Sequence, residues 1–451
     1  MTQKASQSQL PDWWQREKQR RLVRVLLFLL FVFALVAYFY YLSASGLTGI
    51  GSGVNFDSKN YIAFVRDDGK GHTDLYVVRA DGTGERRLTE PGDNSTKSQP
   101  VWTLDGKSVI YAANLEDNRI TQIYILGDGK PTQLTYGTGN KSCPAVSPDG
   151  QHAAFISQGA VKSVLMNGND VYQLMPQPRS SNESSDTAPS TAELTGPFLS
   201  AAFSSDGTGV AGAQDLTDEA GSEIGDRSGV DMAITAIPPG GGTSVTLCTG
   251  HEVSMSWEKA GSRLACSFTE LHAPNAPEKM GADQTPSYRD WQSLTGNSKN
   301  TTLVSAIQIF SFTPQGPKGK TVFTGLGYSI EPKNIAWSPD GSRMAFEGWR
   351  LRGDGQRELS GIAVQKLDAD GSGEGVRVDP MHLGDLRYLV DASKGKPQNP
   401  KWSADSKHLL YEVVGPEGKR DLWTINEDGT NAINLTKGTG DNFDGAWSPA
   451  K

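Results

Sequence analysis

Two groups of side chains stand apart along this 451-residue chain as candidates for recognition: Tyr288, Arg289 and Trp291, and further on Trp349, Arg350 and Arg352. Tyr, Trp and Arg bury a large area while keeping a polar handle, and they dominate protein–protein hot spots. These six are the candidate partner-binding residues. Bond-making chemistry leaves no comparable mark. His72, His152, His251, His272, His382 and His408 are scattered, with no His-x-His, His-Glu-x-x-His or Cys-x-x-Cys-His arrangement. No Gly-x-Ser-x-Gly nucleophile elbow occurs either. The run Asp368-Ala369-Asp370-Gly371 resembles part of a calcium loop, but Lys366 stands where the first carboxylate is needed. An Asp-Gly pair at a turn needs no ion, so the chain calls for no cofactor and no metal. Cys143, Cys248 and Cys266 are too few for a disulfide framework. Cys248 and Cys266 fall in neighbouring repeats and either pair in an oxidising compartment or stay as buried thiols.

What positions these residues is a repeat. Trp337-Ser338-Pro339-Asp340-Gly341 precedes Met344-Ala345-Phe346, and Val146-Ser147-Pro148-Asp149-Gly150 precedes Ala153-Ala154-Phe155. Degenerate copies begin at Trp102, Phe203, Trp257, Trp402 and Trp447. In each, a strand ends at the aromatic, Asp-Gly makes a tight turn, and an apolar strand follows. A third strand shows period-2 alternation, as in Asp74-Leu75-Tyr76-Val77-Val78 and Asp421-Leu422-Trp423-Thr424-Ile425. The fourth runs into Leu-Thr at Leu88-Thr89, Leu134-Thr135 and Leu435-Thr436. A four-stranded unit recurring at roughly 40 to 45 residues is a propeller blade, stable only when stacked in a ring. The expected fold is therefore all-β, a propeller of seven blades with six or eight as alternatives. Trp447, the last strand's aromatic, should pair beside Tyr61 and close the ring, removing free edges.

These motifs resemble the TolB-like propeller repeat, related to WD repeats, over nearly everything from residue 56 onward. The resemblance implies a rigid scaffold that works through its loops and channel, but no single activity. TolB proteins carry a small α/β domain before the propeller, whereas here a short linker leads straight in.

Residues 1–24 are basic, residues 25–42 are apolar without charge, Pro or Gly, and residues 43–59 form a Gly- and Ser-rich linker to a propeller over 60–451. About 18 to 20 such residues cross a bilayer as a helix. Arg16, Lys18, Arg20, Arg21 and Arg24 before the span put the N-terminus in the cytoplasm and the propeller in the periplasm or outside. The alternative is a signal peptide cleaved near Ser43-Ala44-Ser45. A net charge of −8 and a pI near 5.4 argue against nucleic acid as a partner.

The repeat is interrupted unevenly. Insertions fall between second and third strands at Asp215 to Val230, Thr269 to Thr302 and Glu347 to Ser360, and between blades at Pro176 to Pro197 and Asp379 to Pro400. In an up-and-down blade both connection types emerge on one face, so the long loops should share it and the short Asp-Gly turns should occupy the other. The linker enters on the short-turn face, which should look toward the membrane. The reading is a single-pass membrane protein whose propeller serves as a protein-interaction scaffold or accessory subunit of an envelope complex. The alternative is an enzyme or small-ligand binder working from the central channel.

Overall fold

The computed structural model describes residues 60–90, 95–114, 119–127, 130–176, 196–216, 232–259, 261–272, 302–326, 330–351, 357–367, 376–378 and 387–449. The apolar run 25–42 lies outside them; no helix among the described residues is long and apolar enough to cross a membrane.

Seven antiparallel blades form the ring. Blade one takes β1 (Tyr61–Asp67), β2 (Thr73–Arg79) and β3 (Arg86–Arg87). Blade two takes β4 (Lys97–Trp102), β5 (Val109–Ala113), β6 (Gln122–Leu126) and β7 (Thr132–Gln133). Blade three takes β8 (Lys141–Val146), β9 (His152–Ser157), β10 (Ala160–Leu165) and β11 (Tyr172–Met175). In blade four, β12 (Phe198–Phe203), β13 (Val210–Asp215) and β14 (Met232–Ile237) lead into β15 (Val245–Trp257). That strand is outermost in blade four up to Gly250 and innermost in blade five from His251. Blade five continues with β16 (Leu264–His272), β17 (Thr302–Thr313) and β18 (Gly316–Leu326). Blade six has β19 (Glu331–Trp337), β20 (Arg343–Leu351) and β21 (Arg357–Lys366); after β22 (Val376–Val378) its outer strand is β23 (Tyr388–Asp391). Blade seven has β24 (Lys396–Trp402), β25 (His408–Val414), β26 (Arg420–Asn426) and β27 (Ile433–Asn434). Finally β28 (Asp441–Trp447) pairs with β1, Trp447 opposite Ile62, and closes the ring as the sequence predicts.

The Ser-Pro-Asp-Gly turn does two jobs. Within a turn, the Asp carboxylate ties the chain: Asp340 Oδ1 accepts from Ser338 Oγ at 2.6 Å and Ser342 N at 3.0 Å, and Asp149 Oδ1 accepts from Ser147 Oγ at 2.5 Å and Gln151 N at 2.9 Å. Between turns, the residue before Asp leans on the next blade. Gly207 has φ +74°, and a Cβ added there would sit 3.3 Å from Pro148 Cδ of blade three. Glycine is thus required both by its left-handed backbone and by its neighbour. In blade seven Ser406 takes the same conformation, φ +60°, and its hydroxyl accepts from Asp340 N of blade six at 3.0 Å.

Leu-Thr has an equally local cause. Leu134 and Leu435 are buried, while each Thr hydroxyl caps the third strand. Thr436 Oγ1 accepts from Leu422 N at 3.1 Å and donates to Asp421 Oδ1 at 2.7 Å. Thr89 repeats this with Leu75 N at 3.2 Å and Asp74 Oδ1 at 2.8 Å. The strand-end tryptophans seal the seams. Trp102, Trp257, Trp402 and Trp447 each donate an indole N–H, at 3.0 to 3.1 Å, to a carbonyl of the preceding blade's inner strand. Trp337 is the exception, donating to Gly341 O of its own turn at 3.2 Å.

Apolar clusters fill the seams, the one between blades five and six joining Ile307, Phe323, Trp337 and Phe346. Cys248 and Cys266 sit in the cluster between blades four and five as buried free thiols. Burial pushes the Cys266 thiol well above its usual range, helped by Cys248 beside it.

Two expectations about the insertions change. Val376–Val378 is not the outer strand of blade six; it crosses to pair in parallel with Phe323–Gly325 on the edge of blade five. The outer strand of blade six is instead Tyr388–Asp391, so Asp379 to Pro400 is not a single connection between blades; residues 379–386 lie outside the described residues. The crossing covers part of an 11-residue edge that would otherwise be open to another strand. Second, the described ends of the insertions in blades five and six are strand: β16 and β17 pair out to His272 and Thr302, and β20 and β21 out to Leu351 and Arg357.

Candidate functional site

Each inner strand carries a bulge near its start. Gln99, Cys143, Glu252, Asn334, Asn399 and Asp444 have φ between +48° and +55°, none of them glycine. A left-handed non-glycine residue costs roughly 1 kcal/mol or more. What offsets it is a hydrogen bond to the neighbouring blade, because the bulge swings N–H groups across the seam. Gln99 N donates to Asp444 Oδ2 at 2.9 Å, Cys143 N to Gln99 Oε1 at 2.7 Å, Asn399 N to Glu347 Oε1 at 2.7 Å and Asp444 N to Glu412 Oε1 at 3.0 Å. The channel wall is thus polar and stitched blade to blade.

Blades six and seven differ from the rest in what accepts these bonds. Three residues beyond the partner of the strand-end residue, the second strand holds Val65, Ala112, Ile156 and Ala213 in blades one to four and Ser267 in blade five. The same place holds Glu347 in blade six and Glu412 in blade seven. Both are buried. Buried carboxylates persist only when saturated with donors. Glu412 Oε2 also takes Gln398 Nε2 and Asn399 Nδ2, each at 3.2 Å, and Glu347 also takes Asn334 Nδ2 and Trp349 Nε1, each at 2.7 Å.

Trp349 leads to the mouth of the channel on the long-loop face. The β20–β21 register shifts between Gly348 and Trp349, a bulge that re-aims the side chain. Lys333 Nζ lies 4.9 Å from the Trp349 ring centroid, a cation–π contact. Lys333 also meets Glu252 of blade five and stands 3.9 Å from Glu331 Oε2. Arg357 Nε lies 2.9 Å from Glu331 Oε2, and its Nη1 3.2 Å from Glu252 Oε1. Two carboxylates, an ammonium and a guanidinium therefore bridge blades five and six around one indole. Burial, and then the Arg357 charge, pushes Lys333 down to about 8, with Glu347 pulling the other way. An ordinary lysine near 10.4 is almost wholly protonated at neutral pH, whereas this one titrates close to it.

Trp349 and Arg350, expected in a loop, are in strand β20, Trp349 half-buried and Arg350 exposed. Tyr288, Arg289, Trp291 and Arg352 lie outside the described residues. Lys333, Glu252, Glu331 and Arg357 were not singled out from sequence. The one available signal was Glu347 and its counterpart Glu412, charges where the other five repeats carry an apolar or small residue. His72, His152 and His408 each sit by a turn aspartate, at 3.3, 3.8 and 3.7 Å. Among the described residues no three His, Cys, Asp or Glu side chains converge to hold a metal.

No protein-family model matches the chain, and no curated protein matches it. Solved structures of similar shape include TolB from Acinetobacter baumannii, at TM-score 0.46 and 14 % identity over 87 % of this chain and 67 % of that one. The periplasmic gluconolactonase of Pseudomonas aeruginosa aligns at 0.46 and 11 % identity over 87 % of this chain and 98 % of its own. A prolyl endopeptidase aligns at 0.46 and 12 % identity over 85 % of this chain and 49 % of its own. The seven-bladed ring itself is fixed by the strand pairings described above.

Proposed function

We propose that the protein is a single-pass, membrane-anchored propeller in the periplasm or outside the cell, acting as an interaction scaffold or accessory subunit of an envelope complex. The observation that carries this reading is the asymmetry of the disc. The β16–β17 and β20–β21 hairpins extend on the face opposite the chain's entry into β1, and they bring Arg350 and the rim of Trp349 to it. Rigid strands present such side chains with little loss of freedom on binding. The partner is a protein, with Tyr288, Arg289, Trp291 and Arg352 completing the contact.

Gentle detergent extraction, purification through a C-terminal tag and cross-linking mass spectrometry test it. A stoichiometric partner cross-linked to residues 269–302 or 347–360 supports the scaffold; a solitary protein with those segments unprotected refutes it. A second reading, a small-ligand binder or enzyme at the channel mouth, is favoured by Lys333 among Glu252, Arg357 and Trp349. Loss of a bound metabolite in Lys333→Met, detected by mass spectrometry of the released ligand, would mark that reading.

A further inference from the structure

Five large apolar side chains among those described stand well into solvent, and three of them share one place. Leu104 is 47 %, Val171 54 % and Tyr172 47 % exposed. Leu104 is in the first turn of blade two, and Val171 and Tyr172 open the outer strand of blade three, so all three lie on the short-turn face. They flank the first turn of blade three. Leu104 Cδ1 reaches to 3.9 Å of where a Cβ on Gly150 would sit, and His152, two residues on, meets Tyr172 edge-on at 6.3 Å between centroids. Pro449 of blade one continues the ridge, 3.6 Å from the corresponding point on Gly106.

The chain enters the propeller on this same face. Asn60 O accepts from Ala80 N at 3.0 Å, in the turn after β2, and 59 residues precede it, among them the apolar run 25–42. Exposed charges around the ridge nearly cancel: Lys107 and Lys130 against Asp105, Asp149 and Asp170. Asp105 and Asp149 are also turned into their own turns, accepting from Thr103 Oγ1 at 2.7 Å and Ser147 Oγ at 2.5 Å. Such a surface gains nothing from anionic lipid, but it offers an aliphatic–aromatic ridge that an interfacial environment suits.

We propose that Leu104, Val171 and Tyr172 dock the short-turn face of blades two and three onto the lipid surface, inserting at the headgroup boundary of a zwitterionic bilayer. This rests on the anchored reading above. A tether holds the disc at high effective concentration over the bilayer, so three side chains are enough to set its tilt. The long-loop face is then presented outward.

The test uses the full-length protein with Cys143→Ser as background, Cys248 and Cys266 being buried. A nitrobenzoxadiazole label is placed through Leu104→Cys, through Val171→Cys, and, as the long-loop control, through Tyr136→Cys, where the native side chain is 67 % exposed. Each is reconstituted into phosphatidylcholine vesicles with and without spin-labelled lipid. The expected result is blue-shifted emission and at least twofold quenching at 104 and 171, none at 136, and no change on adding anionic lipid. Unquenched labels at 104 and 171, or equal quenching at 136, overturn the docking while a protein that resists alkaline carbonate keeps its anchor. Release by alkaline carbonate overturns both readings.

Discussion

Glu347→Ala should lower the melting temperature of the full-length protein in detergent by about 4 to 7 °C. Glu347 is 2 % exposed and accepts three hydrogen bonds at 2.7 Å, from Asn334 Nδ2, Asn399 N and Trp349 Nε1. Asn334 is exposed and finds water when the carboxylate goes. Asn399 N and Trp349 Nε1 are half-buried, and each charge-assisted bond contributes about 1.5 to 3 kcal/mol, so the expected loss is about 3 to 6 kcal/mol. An unfolding entropy of about 2.1 cal/mol/K per residue over roughly 390 propeller residues converts this to the stated shift. Glu347→Gln keeps an acceptor for Asn399 N but turns an NH2 toward the indole N–H, and should fall between the two. Glu417→Ala, at a side chain 83 % exposed, should change nothing measurable. Thermal unfolding followed by circular dichroism reads all three. A Glu347→Ala protein melting within about 1 °C of the parent would refute the claim that this carboxylate holds blades six and seven together.

Removing residues 441–451 takes away β28 and leaves β1 with an open edge; the truncated protein should aggregate on size-exclusion chromatography instead of running as the parent does. Turn aspartates set the acid limit. At Asp340 burial opposes ionisation, but the Ser338 hydroxyl and Ser342 N–H outweigh it and hold the carboxyl below its usual value. At Asp149 the Ser147 hydroxyl is the leading cause of the same depression. Stability from a depressed carboxyl is present above its unfolded pKa and is lost as pH falls through the folded one, so Ser338→Ala should move acid unfolding to higher pH. An unchanged acid midpoint would dismiss these bonds as stabilising. Competitive amine labelling with mass spectrometry should give Lys333 a reactivity midpoint near pH 8, below other lysines; a midpoint near 10 would show that the Glu252 contact dominates over burial.

Much of this architecture is legible in one chain because each blade's signals are local. Asp340 and Asp149 tie their own turns, Thr436 caps the strand beside it, and a tryptophan reaches only one blade back, so seven copies read as seven blades. Closure at Trp447 follows from the truncated last repeat. Blades four and five read least clearly because β15 serves both, with no loop to mark the change. What the chain could not disclose was set between blades. Val376–Val378 looks like any outer strand until blade five's long edge claims it. Trp349 looks like a loop anchor until a bulge turns its ring onto Lys333 and Glu347. Glu252 and Arg357 are 105 residues apart and meet only because the ring brings two blades side by side. Local hydrogen bonds and period-2 burial are written in adjacent residues, so sequence alone determined the blades. The channel mouth depends on side chains converging from separate strands, and only the tertiary structure decided which ones meet.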